Sequence, residues 1–444
     1  MSTFALWNAE VDTRPWASTQ DLQLAEFGRM VERLRAHEVW AARLAPRTTF
    51  SHVDDLLEVP FTTKEDLRAA QAEADTARPL GAFQLVDAAD LVQVTSSSGT
   101  TGAQTYFGLS RNDWVRWKDR IGNAYRTAGV GPGSVVALTT GMAIVAGGLP
   151  YADGIREAGG VLAWIGGQTT PRMAFGMDRI GVDVLVATAS FASHFAERCT
   201  EELGRPAREL AVRTVIAGGE PGAGVPHIRR GILDAWGATR VSEFMGLADV
   251  LPAMWAECEM GRGMHFTAAP DVLVELIDPA TLEHIPWEPG ATGEAVYTTL
   301  SREASAVVRF RSRDQIQVTG TSCACGRTAP TIRCVGRTDD MLIFKAMNVY
   351  PSAIRELVLD AASPVLSGTM RIRKSSADQV RFDSDIPLEV ELRDGMTVER
   401  ATPLLRAAEE AVRRQLRVRV RVEPLPMGVI PVSDYKNALV YAPA

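Results

Sequence analysis

The run Thr95-Ser96-Ser97-Ser98-Gly99-Thr100-Thr101-Gly102 packs hydroxyls and glycines into eight positions. Hydroxyl donors, together with backbone N–H groups that glycine leaves approachable, suit an anion, and a nucleotide phosphate in particular. No Gly-Lys-Ser/Thr follows, so this is not a Walker loop. Taken alone, the run also reads as a polar surface loop. A second constellation comprises Cys258, His265, Cys323 and Cys325. Three thiolates and an imidazole can close a tetrahedral zinc site. Cys-Ala-Cys is tighter than the usual Cys-x-x-Cys, and buried or free residues in a reducing cell are the other reading. Cys199 and Cys334 read as core or incidental residues.

These groups need elements to position them. Asp90–Val94 reads as a short strand leading into the hydroxyl-rich run. From Ser134 onward strands alternate with helices: Val135–Leu138, Asp183–Ala187, and Thr214–Ala217 running into Gly218-Gly219. Such alternation predicts α/β layers with mostly parallel sheets. Ligands in parallel sheets bind beyond the carboxyl ends of strands, which singles out the loops after Val94, Ala217 and Ser242. Ahead of this, Leu22–Leu44 carries Leu24, Phe27, Met30, Leu34 and Trp40 at helical spacing. Thr63 caps a further helix beginning at Lys64. The tail differs. Leu388–Leu392 and Val418–Val422 alternate like strands around an amphipathic helix over Ala401–Leu416, which predicts a small α+β unit. The expected domains are 1–338 and 339–444.

The chain has 444 residues, a net charge of −7 and five cysteines. A slight acidic excess argues against a nucleic-acid protein. No apolar run is long enough to span a membrane, and no secretory signal opens the chain. An odd, scattered cysteine count argues against a disulfide framework and for the cytoplasm.

Further motifs follow in order. PFTTKEDLR begins at Pro60, TSSSGTTG at Thr95, AGGEPG at Ala217, GLADV at Gly246 and GRTDDMLIFKAMNVYPSAIRE at Gly336. This ordered series resembles the phenylacetate-CoA ligase branch of the adenylate-forming enzymes, from Pro60 to the C-terminus. The resemblance implies a large adenylation domain and a mobile C-terminal lid. It implies that a carboxylate attacks the α-phosphate of ATP to give acyl-AMP and pyrophosphate, and that a thiol then displaces AMP. It further implies roles for single residues. Ser97, Ser98, Gly99, Thr100, Thr101 and Gly102 would hold phosphates, and Gly219, Glu220 and Pro221 would border adenine. Asp249 stands at the Mg²⁺ position, usually Glu in relatives, where a hard oxygen ligand is wanted. Asp314 would bind the ribose, and Arg337 the sugar or phosphate. Asp339 is the hinge, and Lys436 is the adenylation lysine acting as a point charge.

The acyl pocket is expected from Ile144, Ala146, Gly147, Ala217, Phe244, Met245 and Gly246. An apolar slot of this kind suits a flat aromatic acid. His194 could reach a ring substituent or lie on a helix surface. Two positions depart from the family. Ala103-Gln104 replaces Lys-Pro after the phosphate loop, and Ala346 replaces a glycine beside the pantetheine path. These departures support adenylation more firmly than CoA as acceptor, and the resemblance implies an aryl-CoA ligase using ATP, Mg²⁺ and CoA. The alternatives are an aryl-acid adenylating enzyme of secondary metabolism serving a carrier-protein thiol, an amine or a hydroxyl, and a nucleotide-binding homologue without turnover. A homodimer is common among relatives.

Overall fold

A computed structural model describes residues 6–44, 49–97, 104–220, 222–338, 340–345, 347–376, 379–431 and 439–443. The chain divides into two compact units. The first comprises residues 1–219 and 231–333, the second residues 220–230 and 334–444. The division thus falls between Arg333 and Cys334, where the sequence pattern placed it between 338 and 339. The second unit also takes Glu220–Arg230, which the sequence pattern assigned to the first.

Among the described residues, an eleven-stranded sheet runs from Val272–Ile277 at one edge to Val161–Trp164 at the other. Five neighbouring strands are parallel: Val161–Trp164, Val135–Leu138, Val184–Ala187, Thr214–Gly218 and Arg240–Leu247. Their short apolar runs are separated by helices that cover the sheet, as a parallel sheet requires. Arg240–Leu247 then pairs antiparallel with Leu251–Glu257, which pairs antiparallel with Met264–Phe266. The rest of that side continues antiparallel through Val272–Ile277, Thr292–Thr299 and Phe310–Gly320. Trp255, Tyr297, Phe27, Trp40 and Leu34 lie in the core beneath it.

The long N-terminal helix expected over Leu22–Leu44 is two helices, Trp16–Leu34 and Glu38–Leu44. A turn closed by the His37 N–H on the Leu34 carbonyl separates them. The second helix buries Trp40 and Leu44 completely. The described part of the second unit has two small sheets and the helices Pro351–Ala362 and Val398–Leu416. Ile354, Val358, Val390, Ala408 and Val412 form its separate core. No helix among the described residues is long and apolar enough to cross a membrane.

Candidate active site and metal centre

The hydroxyl-rich run starts from one arm of a β-hairpin. Gln93–Ser96 pairs antiparallel with Tyr106–Leu109, Ser96 opposite Tyr106. Ser97 closes the base of the loop. Its N–H donates to the Thr105 carbonyl at 2.9 Å, and its Oγ lies 2.9 Å from Thr105 Oγ1 and accepts the Thr105 N–H. Ser98, Gly99, Thr100, Thr101 and Gly102 lie outside the described residues. The hairpin is stitched to the segment expected to line the acyl pocket. The Ser96 N–H donates to the Ile144 carbonyl, and the Ala146 N–H donates back to Ser96.

Around that segment the wall is uncharged. Ile144 is exposed, Ala146 and Gly147 half-buried, and Ala217 and Phe244 buried. A β-carbon at Gly147 would stand 3.9 Å from the Tyr151 ring. Tyr125 packs between Tyr151 and Phe244, with ring centroids at 5.9 and 5.1 Å. The Tyr151 hydroxyl donates to the Pro252 carbonyl at 3.1 Å. Half-buried Met245 and Gly246 follow Phe244. At Gly246 a side chain would lie 2.0 Å from the Pro252 carbonyl oxygen, so the crossing of the two chains there requires glycine. Gly219 has φ +85, the left-handed turn that ends its strand. His194 is exposed on the Ala189–Leu203 helix, the surface alternative.

Asp249 lies in the turn just before the strand Leu251–Glu257, and it is buried. Both its oxygens accept from Lys64 Nζ, at 2.9 and 3.0 Å. A chain of bonds places Lys64. The Thr62 N–H donates to the Arg309 carbonyl, the Arg311 N–H to the Thr62 carbonyl, and Thr62 Oγ1 to the Val308 carbonyl. Arg309 is held by Glu275 and donates from Nη1 to the Val59 carbonyl. Thr63 then caps the Lys64–Ala72 helix with a capping box closed by Asp66. Arg302 lies on the other side, its guanidinium 4.3 Å from the Trp117 ring and bonded to the Val250 carbonyl. Burial pulls its pKa down to about 10, against the opposing pull of Asp113 and Asp249.

At the far end of the same strand, Cys258 opens a turn closed by the Gly261 N–H, and Cys323 opens a similar one closed by Gly326. His265 sits on Met264–Phe266, paired with Ala256 on one side and Thr331 on the other. The register gathers the ligand atoms of Cys258, His265, Cys323 and Cys325 within 4.8 Å of one another. Cys258 Sγ lies 3.8 Å from Cys323 Sγ, and Cys325 Sγ lies 3.5 Å from His265 Nε2. Tetrahedral zinc bonds put neighbouring sulfurs about 3.8 Å apart and a sulfur and imidazole nitrogen about 3.6 Å apart. The residues therefore fit zinc. Cys325 is pushed down to about 2, first by the hydrogen bond from Cys258 and then by His265, against burial. Metal binding requires such a thiolate. Arg327 Nη1 donates to Cys325 Sγ at 3.7 Å from outside the set. Cys199, by contrast, is driven up to about 12 by burial, as for a core thiol.

No family model matches the chain. The phenylacetate-coenzyme A ligase of Thermus thermophilus is 28% identical over 448 residues, covering 97% of each chain. That of Pseudomonas putida is 33% identical over 310 residues, 69% of this chain and 66% of the relative. The chain belongs to the phenylacetate-CoA ligase branch of the adenylate-forming enzymes. As such it is an AMP-forming acid–CoA ligase. A crystal structure of 2-hydroxyisobutyryl-CoA ligase in the postadenylation state, with 2-HIB-AMP bound, superposes with a TM-score of 0.88 at 25% identity. It covers 99% of this chain and 92% of the other.

The ligase fold brings together the hairpin, the Ile144–Gly147 segment and the Phe244–Gly246 strand end in the first unit. Asp314 also stands there, buried, its N–H donating to Ser312 Oγ. Glu220 and Arg337 stand in the second unit. There Glu220 opposes the lowering of the Arg355 pKa by burial. Pro221, Asp339 and Lys436 lie outside the described residues, as do Ala103 and Ala346. Sequence reasoning missed Lys64, Tyr125 and Tyr151. Lys64 was in view within PFTTKEDLR but was read only as the start of a capped helix. Tyr151, three residues after Gly148, sits on the helix that the double glycine introduces.

Proposed function

We propose that the chain activates an aromatic carboxylic acid with Mg²⁺ and ATP as its acyl-AMP, releasing pyrophosphate, and then transfers the acyl group to CoA. The observation that carries this reading is the seam between Ser96 and Ile144–Ala146. It sets Ser96, at the start of the hydroxyl-rich run, beside an apolar, uncharged segment, the pairing that a reaction joining a carboxylate to a phosphate needs. Tyr151, beside Gly147, packs on buried Tyr125 and through it on Phe244, so that segment is backed by rings, which favours a flat acid.

In this reading Ser97 shapes the loop, and Ser98, Thr100 and Thr101 with Gly99 and Gly102 hold the β- and γ-phosphates. Gly219, Glu220 and Pro221 border the adenine. Asp314 accepts from the ribose hydroxyls and Arg337 donates to the sugar or phosphate. Lys436 supplies the cation that steadies the attacking carboxylate and the charge developing at the α-phosphate. Asp339 is the hinge of a lid formed by the C-terminal segment. Mg²⁺ would be held by Asp249, a buried carboxylate already matched to a cation, and would neutralise polyphosphate charge. Zn²⁺ would be held by Cys258, His265, Cys323 and Cys325. Its role is structural, tying the turn after Leu251–Glu257 to the turn after Phe310–Gly320.

Pyrophosphate release measured over benzoates, anthranilates and phenylacetates, with 2-hydroxyisobutyrate beside them, tests the substrate class. At least one aromatic acid should exceed 2-hydroxyisobutyrate by about tenfold or more in kcat/KM. The reverse order would overturn the aromatic assignment.

A further inference from the structure

Lys64 and the phosphate loop have a relationship that follows from charge. Between Arg78 and Arg111 the chain contains no lysine or arginine, and the whole hydroxyl-rich run lies inside that interval. A polyphosphate held there needs a cation from elsewhere in the fold. Lys64 is placed to provide it. Its helix lies along the strand that leaves the loop: Gln71 bonds both the N–H and the carbonyl of Tyr106 through its side-chain amide. The Lys64 ammonium itself stands 6.0 Å from the Phe107 ring centroid. Its ion-pair partner is Asp249, whose side chain is only 4% exposed, against 26% for Lys64. Removing one partner from so buried a pair leaves the other unmatched.

We propose that Lys64 is the resident counter-ion of Asp249. It holds the carboxylate in place before nucleotide arrives, yields it to the incoming Mg²⁺, and turns its ammonium to the polyphosphate. This rests on the assignment of Asp249 as the Mg²⁺ ligand. The arrangement does two things. Asp249 is never left as a bare buried charge. The cation missing from the loop's own stretch of chain is supplied only when the metal is in place. Lysine suits the task because a single ammonium on a flexible stem can exchange partners. Arginine would grip both carboxylate oxygens in a planar fork and resist displacement.

The experiment uses the full chain, α,β-methylene-ATP as a nucleotide that cannot be turned over, and buffered free Mn²⁺ as the metal probe, with no acid present. Binding of the analogue is followed against Mn²⁺ in wild type, Lys64→Met and Lys64→Arg. If the ion pair occupies the carboxylate nine-tenths of the time, Lys64→Met lowers the half-saturating Mn²⁺ by roughly tenfold. The same variant weakens analogue affinity at saturating metal, because the phosphate has lost a cation. Lys64→Arg preserves the ion pair and the fold, and raises the half-saturating Mn²⁺. A residue that only braces the structure would give no such opposition of sign. Metal requirements that move in the same direction in both variants, or in neither, overturn the role of Lys64. A wild-type chain that binds no analogue at any Mn²⁺ concentration overturns the nucleotide site itself.

Discussion

The strand Leu251–Glu257, about 20 Å long, carries Asp249 just before one end and Cys258 just after the other. The two ends solve the problem of buried charge in opposite ways. At the cysteine end four soft ligands converge on one point, and each is fixed by a turn or a strand register. That set is closed, and its outer neighbour Arg327 is itself buried. At the aspartate end a hard carboxylate, also felt by the buried Arg302 guanidinium, meets an ammonium on a flexible stem that is partly open to solvent. A closed set suits a metal that stays. An open pair suits a cation that must be exchanged in every catalytic cycle. With the proposed roles, one strand would couple a rigid anchor to a site whose partner changes.

The comparison breaks most visibly at Asp249. Asp249→Asn should lower acid-dependent ATP–pyrophosphate exchange by about a thousandfold, since it removes the charge that positions metal and polyphosphate. Zinc content should be unchanged. Loss of zinc in this variant would mean that the two ends are not separable. Cys258→Ser probes the other end. Purified wild type should carry about one zinc per chain and the variant none, with a melting temperature lower by roughly 5–10 °C. Below its melting point the variant should still bind ATP. Abolished nucleotide binding in a folded variant would make the cysteine end part of the chemistry.

How much of this could be read from the chain follows from the distance over which each feature is encoded. The hydroxyl-rich run and the cysteine set announce themselves by residue type, whereas Asp249 is singled out only by the family resemblance. The parallel strands are apolar runs separated by helices, and they read directly. The antiparallel half did not. Leu251–Glu257 and Val272–Ile277 are buried at every position, so no alternation marks them. The return strand Tyr106–Leu109 was equally silent, since hairpin closure by Ser97 and Thr105 depends on pairing across the loop. Lys64 was invisible as a functional group because its partner lies 185 residues away. The N-terminal helix pattern was right in its apolar face but blind to the turn at Arg35–His37, which the packing of Trp40 requires.

Smaller effects sharpen how the Lys64 segment is held. His284 bridges Asp54 and Glu275, the latter also gripping Arg309, whose side chain bonds the Val59 carbonyl. Burial pulls the His284 pKa down, but the hydrogen bonds to Glu275 and Asp54 outweigh it, so the net shift is upward. A raised folded-state value means that the stabilisation is fully present below the ordinary histidine value and is lost as pH rises through the folded one. His284→Gln should therefore cost about 1 kcal/mol of stability near pH 5.5 and much less near pH 9, read by denaturant unfolding at both pH values. An equal cost at both would mean that the imidazole acts only by packing. Smallest of all, Tyr151→Phe removes one hydrogen bond to the Pro252 carbonyl. It should cost about 1 kcal/mol in stability and shift KM for the acid by no more than about fivefold, leaving KM for ATP unchanged. A change confined to ATP would place Tyr151 outside the acyl wall.

The most direct test of the whole account is product mass from purified enzyme, ATP, Mg²⁺ and the best acid of the panel, with and without CoA. The expected result is acyl-AMP and pyrophosphate without CoA, and acyl-CoA with AMP when CoA is added. Persistence of acyl-AMP in the presence of CoA, or no adenylate with any acid, would contradict it.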